Sequence, residues 1–219
     1  MKQIKRIYKK LFARKIKFSE VTLRKEIFLY AGDVPEMEVY NGYVGLSINQ
    51  EDERHIKHDV TNNYPISDNS VDRYQSEDVF EHIEYEELPK VINEIYRVLK
   101  VGGLFRLALP DYRCDILYDR THKNEQGELQ FDPQGGGAYL NGKVVNGGHV
   151  WFPNFEKVSK LLEKSKFSKI EFLHYYDSKG NPVTNPIDYS KGWVIRTPDH
   201  DDRVKNPYRP ISIVVDCIK

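Results

Sequence analysis

Residues 86–111 read EELPKVINEIYRVLKVGGLFRLALPD, a helix, a turn and a strand in one unbroken run. Leu88, Val91, Ile92, Ile95 and Leu99 recur at the i, i+3, i+4, i+7, i+11 spacing of a single apolar helix face. Pro89 stands in the opening turn, where its missing N–H costs nothing, and Gly102-Gly103 provide the stop. The spacing predicts a helix over 86–100. Leu104–Leu109 then forms a strand, broken by Pro110-Asp111. A helix feeding straight into an apolar strand is the repeating unit of an α/β domain.

The same alternation extends outward. EIFLYA (26–31), YVGLSI (43–48), HIKHDV (55–60) and 71–75 read as the first four strands. The short span between the first two, with Pro35 and Gly42, predicts a loop instead of a crossover helix. Downstream, 153–167 is predicted helical, and 169–175 and 211–218 are strands. Two long stretches without periodicity, about 112–152 and 177–210, interrupt this pattern; loops of that length in a compact domain are usually functional. Residues 26–219 are therefore expected to make one domain with two insertions.

The 219 residues carry 33 Lys plus Arg against 33 Asp plus Glu, so the chain as a whole lacks the basic footprint of a nucleic-acid binder. That balance hides a basic start, with ten Lys or Arg and one acid in residues 1–25. Ile4, Ile7, Tyr8, Leu11 and Phe12 make an apolar stripe at helical spacing with lysines and arginines on the other side, which predicts a basic amphipathic helix within residues 1–25. Two readings stand: the stripe lies on the domain's own sheet, or residues 1–18 touch an anionic membrane surface or a protein partner. No apolar run of signal-peptide or membrane-spanning length follows, which gives the expectation of a cytoplasmic chain. Cys114 and Cys217, far apart, suggest neither a disulfide framework nor a thiolate metal site.

Taken in order, HDVTNNYPISDNSVDRYQSEDVFEHI (58–83), EIYRVLKVGG (94–103) and LFRLALPD (104–111) resemble the class I S-adenosylmethionine-dependent methyltransferases. The likeness is greatest to short members with EHI and RVLKxGG signatures associated with sugars and polysaccharides. The resemblance implies a Rossmann-like seven-stranded, mostly parallel sheet with helices on both faces and S-adenosylmethionine at the carboxyl ends of the first strands, where open α/β sheets place ligands. Carried over by position, the cofactor contacts are Tyr30, Ala31 and Gly32 after strand one, Ser47 after strand two, Asp59 and Val60 at the adenine, and Ser76, Glu77 and Asp78 after strand four. Asp59 also reads as a turn-capping acid, and Ser76 as the cap of a short helix through Ile83. The usual Gly-x-Gly is reduced to Gly32, and Ser47 stands where an acid normally grips the ribose.

The turn Ser76-Glu77-Asp78-Val79 differs from the Asn/Asp-Pro-Pro-Tyr turn of amino methyltransferases, which points to a hydroxyl acceptor, a small molecule or a glycan. A hydroxyl needs a base, and the candidates are His149 in GGHVWFP, His82 in EHI, and Asp111 at the end of a strand. Each also has a plain structural reading as a hydrogen-bonded side chain. Trp151 and Phe152 are aromatic surfaces on which a sugar could stack. Asp199-His200-Asp201-Asp202 reads as a solvated acidic loop, and no metal site is expected. A nicotinamide enzyme would need G-x-G-x-x-G, which AGDVPEM lacks. A relative that has lost its cofactor and serves as an interaction or assembly module is the remaining alternative.

Overall fold

A computed structural model describes residues 14–219. The basic stripe predicted for the amino terminus lies outside these residues; of that region only the single helical turn Phe18–Val21 is described. Among the described residues no helix is long and apolar enough to cross a membrane.

Eight strands form the central sheet: β1 (Phe28–Ala31), β2 (Tyr43–Ser47), β3 (His55–Lys57), β4 (Val71–Glu77), β5 (Leu99–Pro110), β10 (Lys169–Tyr176), β11 (Pro182–Thr184) and β12 (Ser212–Ile218). Their order is β11-β10-β12-β5-β4-β1-β2-β3. The five strands from β3 to β5 run parallel, while β12 is antiparallel to both β5 and β10. The expected seven strands become eight because the second insertion folds back and pairs β11 antiparallel along β10. The first insertion makes two small hairpins of its own, β6 (His122–Lys123) with β7 (Leu129–Phe131) and β8 (Ala138–Leu140) with β9 (Lys143–Val145).

The two faces of the sheet are covered differently. Helices Leu88–Val98 and Phe155–Leu162 both bury their apolar stripes against Leu29, Val44, Phe105, Leu107, Ile213 and Val215. Alternation along the strands sends Tyr30, Tyr43, Gln75, Glu77, Arg106 and Val214 to the other face. Against the expectation of helices on both faces, among the described residues the two α-helices of eight or more residues lie on one, and the short helix Asp115–Arg120 packs separately, with Leu117 against Tyr112, Tyr176, Val204 and Ile211. The β1–β2 link holds only the short 3-10 helix Glu38–Tyr40, too little to cover a face, and the second insertion fills the space.

That cover is fastened by polar side chains in register with the strand beneath. Arg73 donates to the Ser190 carbonyl, Gln75 to that of Trp193, and the Glu77 carboxylate accepts from the N–H groups of Ile195 and Arg196. Arg106, 1% exposed, forms a bidentate pair with Asp216 at 2.7 Å and donates to the carbonyls of Asp188 and Gly192. Desolvating this guanidinium is tolerable because its charge is paired and four of its five N–H groups have acceptors.

Candidate functional site

The carboxyl ends of β1, β2 and β4 open onto a cleft of ≈ 760 Å³, within the range of roughly 300–1,000 Å³ usual for small-molecule sites. Gly45 brings its floor together: a side chain there would place Cβ 2.7 Å from the Gly32 carbonyl oxygen. Gly32 leaves β1 at φ +86°, a turn that disfavours any side chain.

Of the residues expected to bind a cofactor, Gly32, Ser47, Asp59, Val60 and Asp78 line this cleft, while Tyr30, Ala31, Ser76 and Glu77 do not. Tyr30 points to the opposite face and packs edge-on against Tyr40 and Tyr43, leaving the cleft unobstructed. Ala31 lies in the helix-side core. Ser76 is fully buried within β4 and caps no helix. Glu77 holds the second insertion instead, and burial together with nearby Asp78 pushes its carboxyl up to about 7.

Ser47 turns inward. Its hydroxyl donates to Asp33 and accepts from the N–H groups of Asn49 and Gln50 at 2.9 and 2.8 Å, so it builds the turn after β2. The acid that stands beside Ser47 in the cleft is Asp33, whose position after strand one hid it among turn residues in the sequence. Ile48 beside it is 65% exposed and joins Val60, Val79 and Ile83 in the apolar part of the lining. On the facing side Asp59 commits Oδ1 to the N–H and hydroxyl of Thr61; no hydrogen bond among the described residues engages Oδ2. Its turn-capping and its exposure to the cleft coexist.

At the other end Asp78 adopts φ +55° and pairs through Oδ2 with Arg196 at 2.5 Å. Its Oδ1 is buried and, among the described residues, without a partner. Burial raises this carboxyl and Arg196 opposes the rise. An unpartnered carboxylate oxygen at the wall of a cleft is a ready acceptor for an incoming cationic group.

The candidate bases separate into a pair and an outlier. His82, exposed, and His149, 4% exposed, meet edge to face with ring centroids 4.7 Å apart. They are drawn together where the end of the first insertion straps onto the 3-10 helix Phe80–His82. His82 Nδ1–H donates to the Gly147 carbonyl, the Val150 N–H to that of Glu81, and the Trp151 indole to that of Phe80. Gly135 cradles the His149 ring, leaving no room for a methyl group. Burial holds His149 down to about 3, so it is neutral at ordinary pH. Asp111 is fully buried elsewhere: its two oxygens accept from the N–H groups of Arg113 and Tyr176, tying β5 to β10. Trp151 belongs to the core, against Tyr85, and offers no face to a ligand.

A second, outer cavity of ≈ 740 Å³ lies between the two insertions, bounded by Tyr112, Arg113, Phe152, Lys157 and Lys179. Tyr112 donates its hydroxyl proton to Asp132 at 2.7 Å and lies 2.5 Å from His149 Nδ1. The Asp199–Asp202 run does not converge on one point: Asp199 accepts from Tyr189 and Tyr208, His200 stacks on Trp193, Asp201 pairs with Arg203, and Asp202 with Lys205.

This arrangement matches known proteins at the level of fold. Residues 36–107, the part containing β2–β5 and the helix between β4 and β5, match a protein-family model described as a methyltransferase domain. A SAM-dependent methyltransferase from Methanosarcina mazei superposes with TM-score 0.52 at 13% identity, covering 94% of this chain and 99% of its own. One from Thermotoga maritima, described as a possible histamine N-methyltransferase, gives 0.52 at 14%, covering 91% and 86%. One from Archaeoglobus fulgidus gives 0.51 at 13%, covering 100% and 95%. No curated protein matches the chain. The fold is thus that of the SAM-dependent methyltransferases, a class whose cofactor is S-adenosylmethionine, and the matched segment is similar to a methyltransferase domain.

Proposed function

We propose that this chain is an S-adenosylmethionine-dependent methyltransferase acting on a small hydroxyl acceptor, with a sugar in a glycan or its precursor as the preferred substrate class. The observation that carries the reading is the open cleft at the carboxyl ends of the strands, acidic at both ends and apolar between. Its residues fit the cofactor's chemistry: Ile48 offers an apolar wall for the purine, Asp59 an acceptor for an amino group, Asp33 an acceptor for ribose hydroxyls, and Asp78 Oδ1 an acceptor for the ammonium. The cofactor, when bound, supplies an electrophilic methyl group on sulfur. The protein's task is to align an acceptor oxygen with it and exclude water, for which well-placed groups can contribute up to about 7–11 kcal/mol. His82 is the base nearest the cleft, since it lines the wall while His149 stands behind it. The sugar preference follows the resemblance of the EHI and RVLKxGG segments to sugar-associated methyltransferases.

The non-enzymatic alternative, an assembly module that has lost its cofactor, rests on the diversion of Ser47 into its own turn. Calorimetry with S-adenosylhomocysteine separates the two. The parent protein should bind, and Asp59→Ala, at an exposed position, should weaken binding about tenfold, or ~1.4 kcal/mol, while leaving the fold intact. Absence of binding to the parent protein overturns the transferase reading.

A further inference from the structure

We propose that Glu81, His82 and His149 form a binding site for one divalent transition-metal ion of the zinc class. One ligand atom from each lies within 4.8 Å of the others. Two imidazoles and one carboxylate, with a position left open, form one of the familiar sets for zinc.

Three observations point to a cation. Glu81 is fully buried, yet both of its carboxylate oxygens lack a hydrogen-bond partner among the described residues, a costly arrangement unless something else meets them. Next, the two histidines are held in the tautomer a metal requires. His82 spends its Nδ1–H on the Gly147 carbonyl, which leaves a lone pair on Nε2. The Tyr112 hydroxyl gives its only proton to Asp132, itself fixed by Arg120, and can therefore only accept from His149 Nδ1–H; the His149 Nε2 lone pair is free in turn. Lastly, that lone pair faces Glu81 Oε1 across 3.6 Å, too long for a shared proton. Ligands about 2.0–2.2 Å from one tetrahedral ion are roughly 3.3 Å apart, so this gap suits a cation between them. The wider separations close by a small swing of the exposed His82 ring about its Gly147 hydrogen bond, which keeps Nδ1–H engaged.

The sequence hides this set because its members are split between EHI and GGHVWF, and Glu81 reads as a helix-turn acid. The ion would stand beside the wall of the cleft that His82 lines; with the ion bound, His82 Nε2 would be a ligand and no longer a base, and the open position on the metal would take over the activation of an acceptor oxygen. That placement rests on the transferase reading; ion binding itself does not.

The test uses the full chain, stripped with chelator and titrated with Zn²⁺ by calorimetry, with Co²⁺ absorption as a report of coordination. One equivalent should bind. Affinity should fall at least a hundredfold in His82→Ala and in the near-isosteric Glu81→Gln, and about 10–100-fold in Tyr112→Phe, which removes only the group orienting His149. Circular dichroism checks that each variant is folded. No saturable Zn²⁺ uptake by the parent protein, or isotherms unchanged in both His82→Ala and Glu81→Gln, overturns the site. Titration of the same stripped protein with S-adenosylhomocysteine keeps the two proposals apart: Zn²⁺ uptake without nucleoside binding upholds the metal site and defeats the transferase, and the converse result does the reverse.

Discussion

The two insertions look alike in sequence, polar and without periodicity, but they do opposite things in the structure. The second, between β10 and β12, lies on the face opposite the two long helices and is fixed by side chains rising from β4 and β5, among them the buried Arg106. The first, between β5 and the helix Phe155–Leu162, is anchored at its closing end, where Gly147, Val150 and Trp151 bond to Phe80–His82. Its β8–β9 hairpin carries exposed Leu140. One insertion therefore serves as architecture and the other brings a histidine to the edge of the cleft. Length alone does not separate these roles; the burial of the anchoring groups does.

If that contrast holds, the largest loss of stability comes from the architectural side. Arg106→Met should cost about 3–5 kcal/mol, because it leaves Asp216 unpaired in a largely buried site, and chemical denaturation should register it. A substitution in the cradle of the first insertion is expected to cost less stability and more function. In Gly135→Ala the new methyl group would press on the His149 ring, an overpacking worth about 1–3 kcal/mol, and methyl transfer should fall while S-adenosylhomocysteine binding persists.

A pH series sharpens the comparison further. Glu77, an anchor of the second insertion, is pushed from 4.5 to about 7 in the fold, so the native state binds more protons than the unfolded chain between these values. Its contribution is complete below pH 4.5 and declines as pH rises through about 7. Glu77→Gln should remove that decline, seen as a flatter stability–pH curve relative to the parent protein over this window. The smallest effect belongs to the hairpin tip: Gly142→Ala, at φ +78° with open space around it, should cost about 1–2 kcal/mol from backbone strain alone and leave activity unchanged.

Local pattern carried most of the fold. The helix predicted over 86–100 is Leu88–Val98, and the strands at 43–48, 71–75, 169–175 and 211–218 fall within a residue or two of β2, β4, β10 and β12. The third strand ends early, at Lys57, because His58 and Asp59 already turn toward the cleft. What eluded the sequence is long-range. Glu77 reads as a cofactor acid until residues 118 and 119 positions away supply its hydrogen bonds. Asp111 reads as a base until the N–H of Tyr176 claims one of its oxygens. Tyr30 sits in a cofactor turn by position, yet strand alternation sends it behind the sheet. Conversely, the meeting of His82 with His149 depends on a strap joining segments 65 residues apart, which no local spacing announces.

Tyr112 has its ring in the wall of the outer cavity and its hydroxyl against His149 and Asp132. The same phenol therefore borders the outer chamber with its ring and touches the buried histidine with its hydroxyl. A guest that displaces that ring would also remove the acceptor that orients the imidazole behind it.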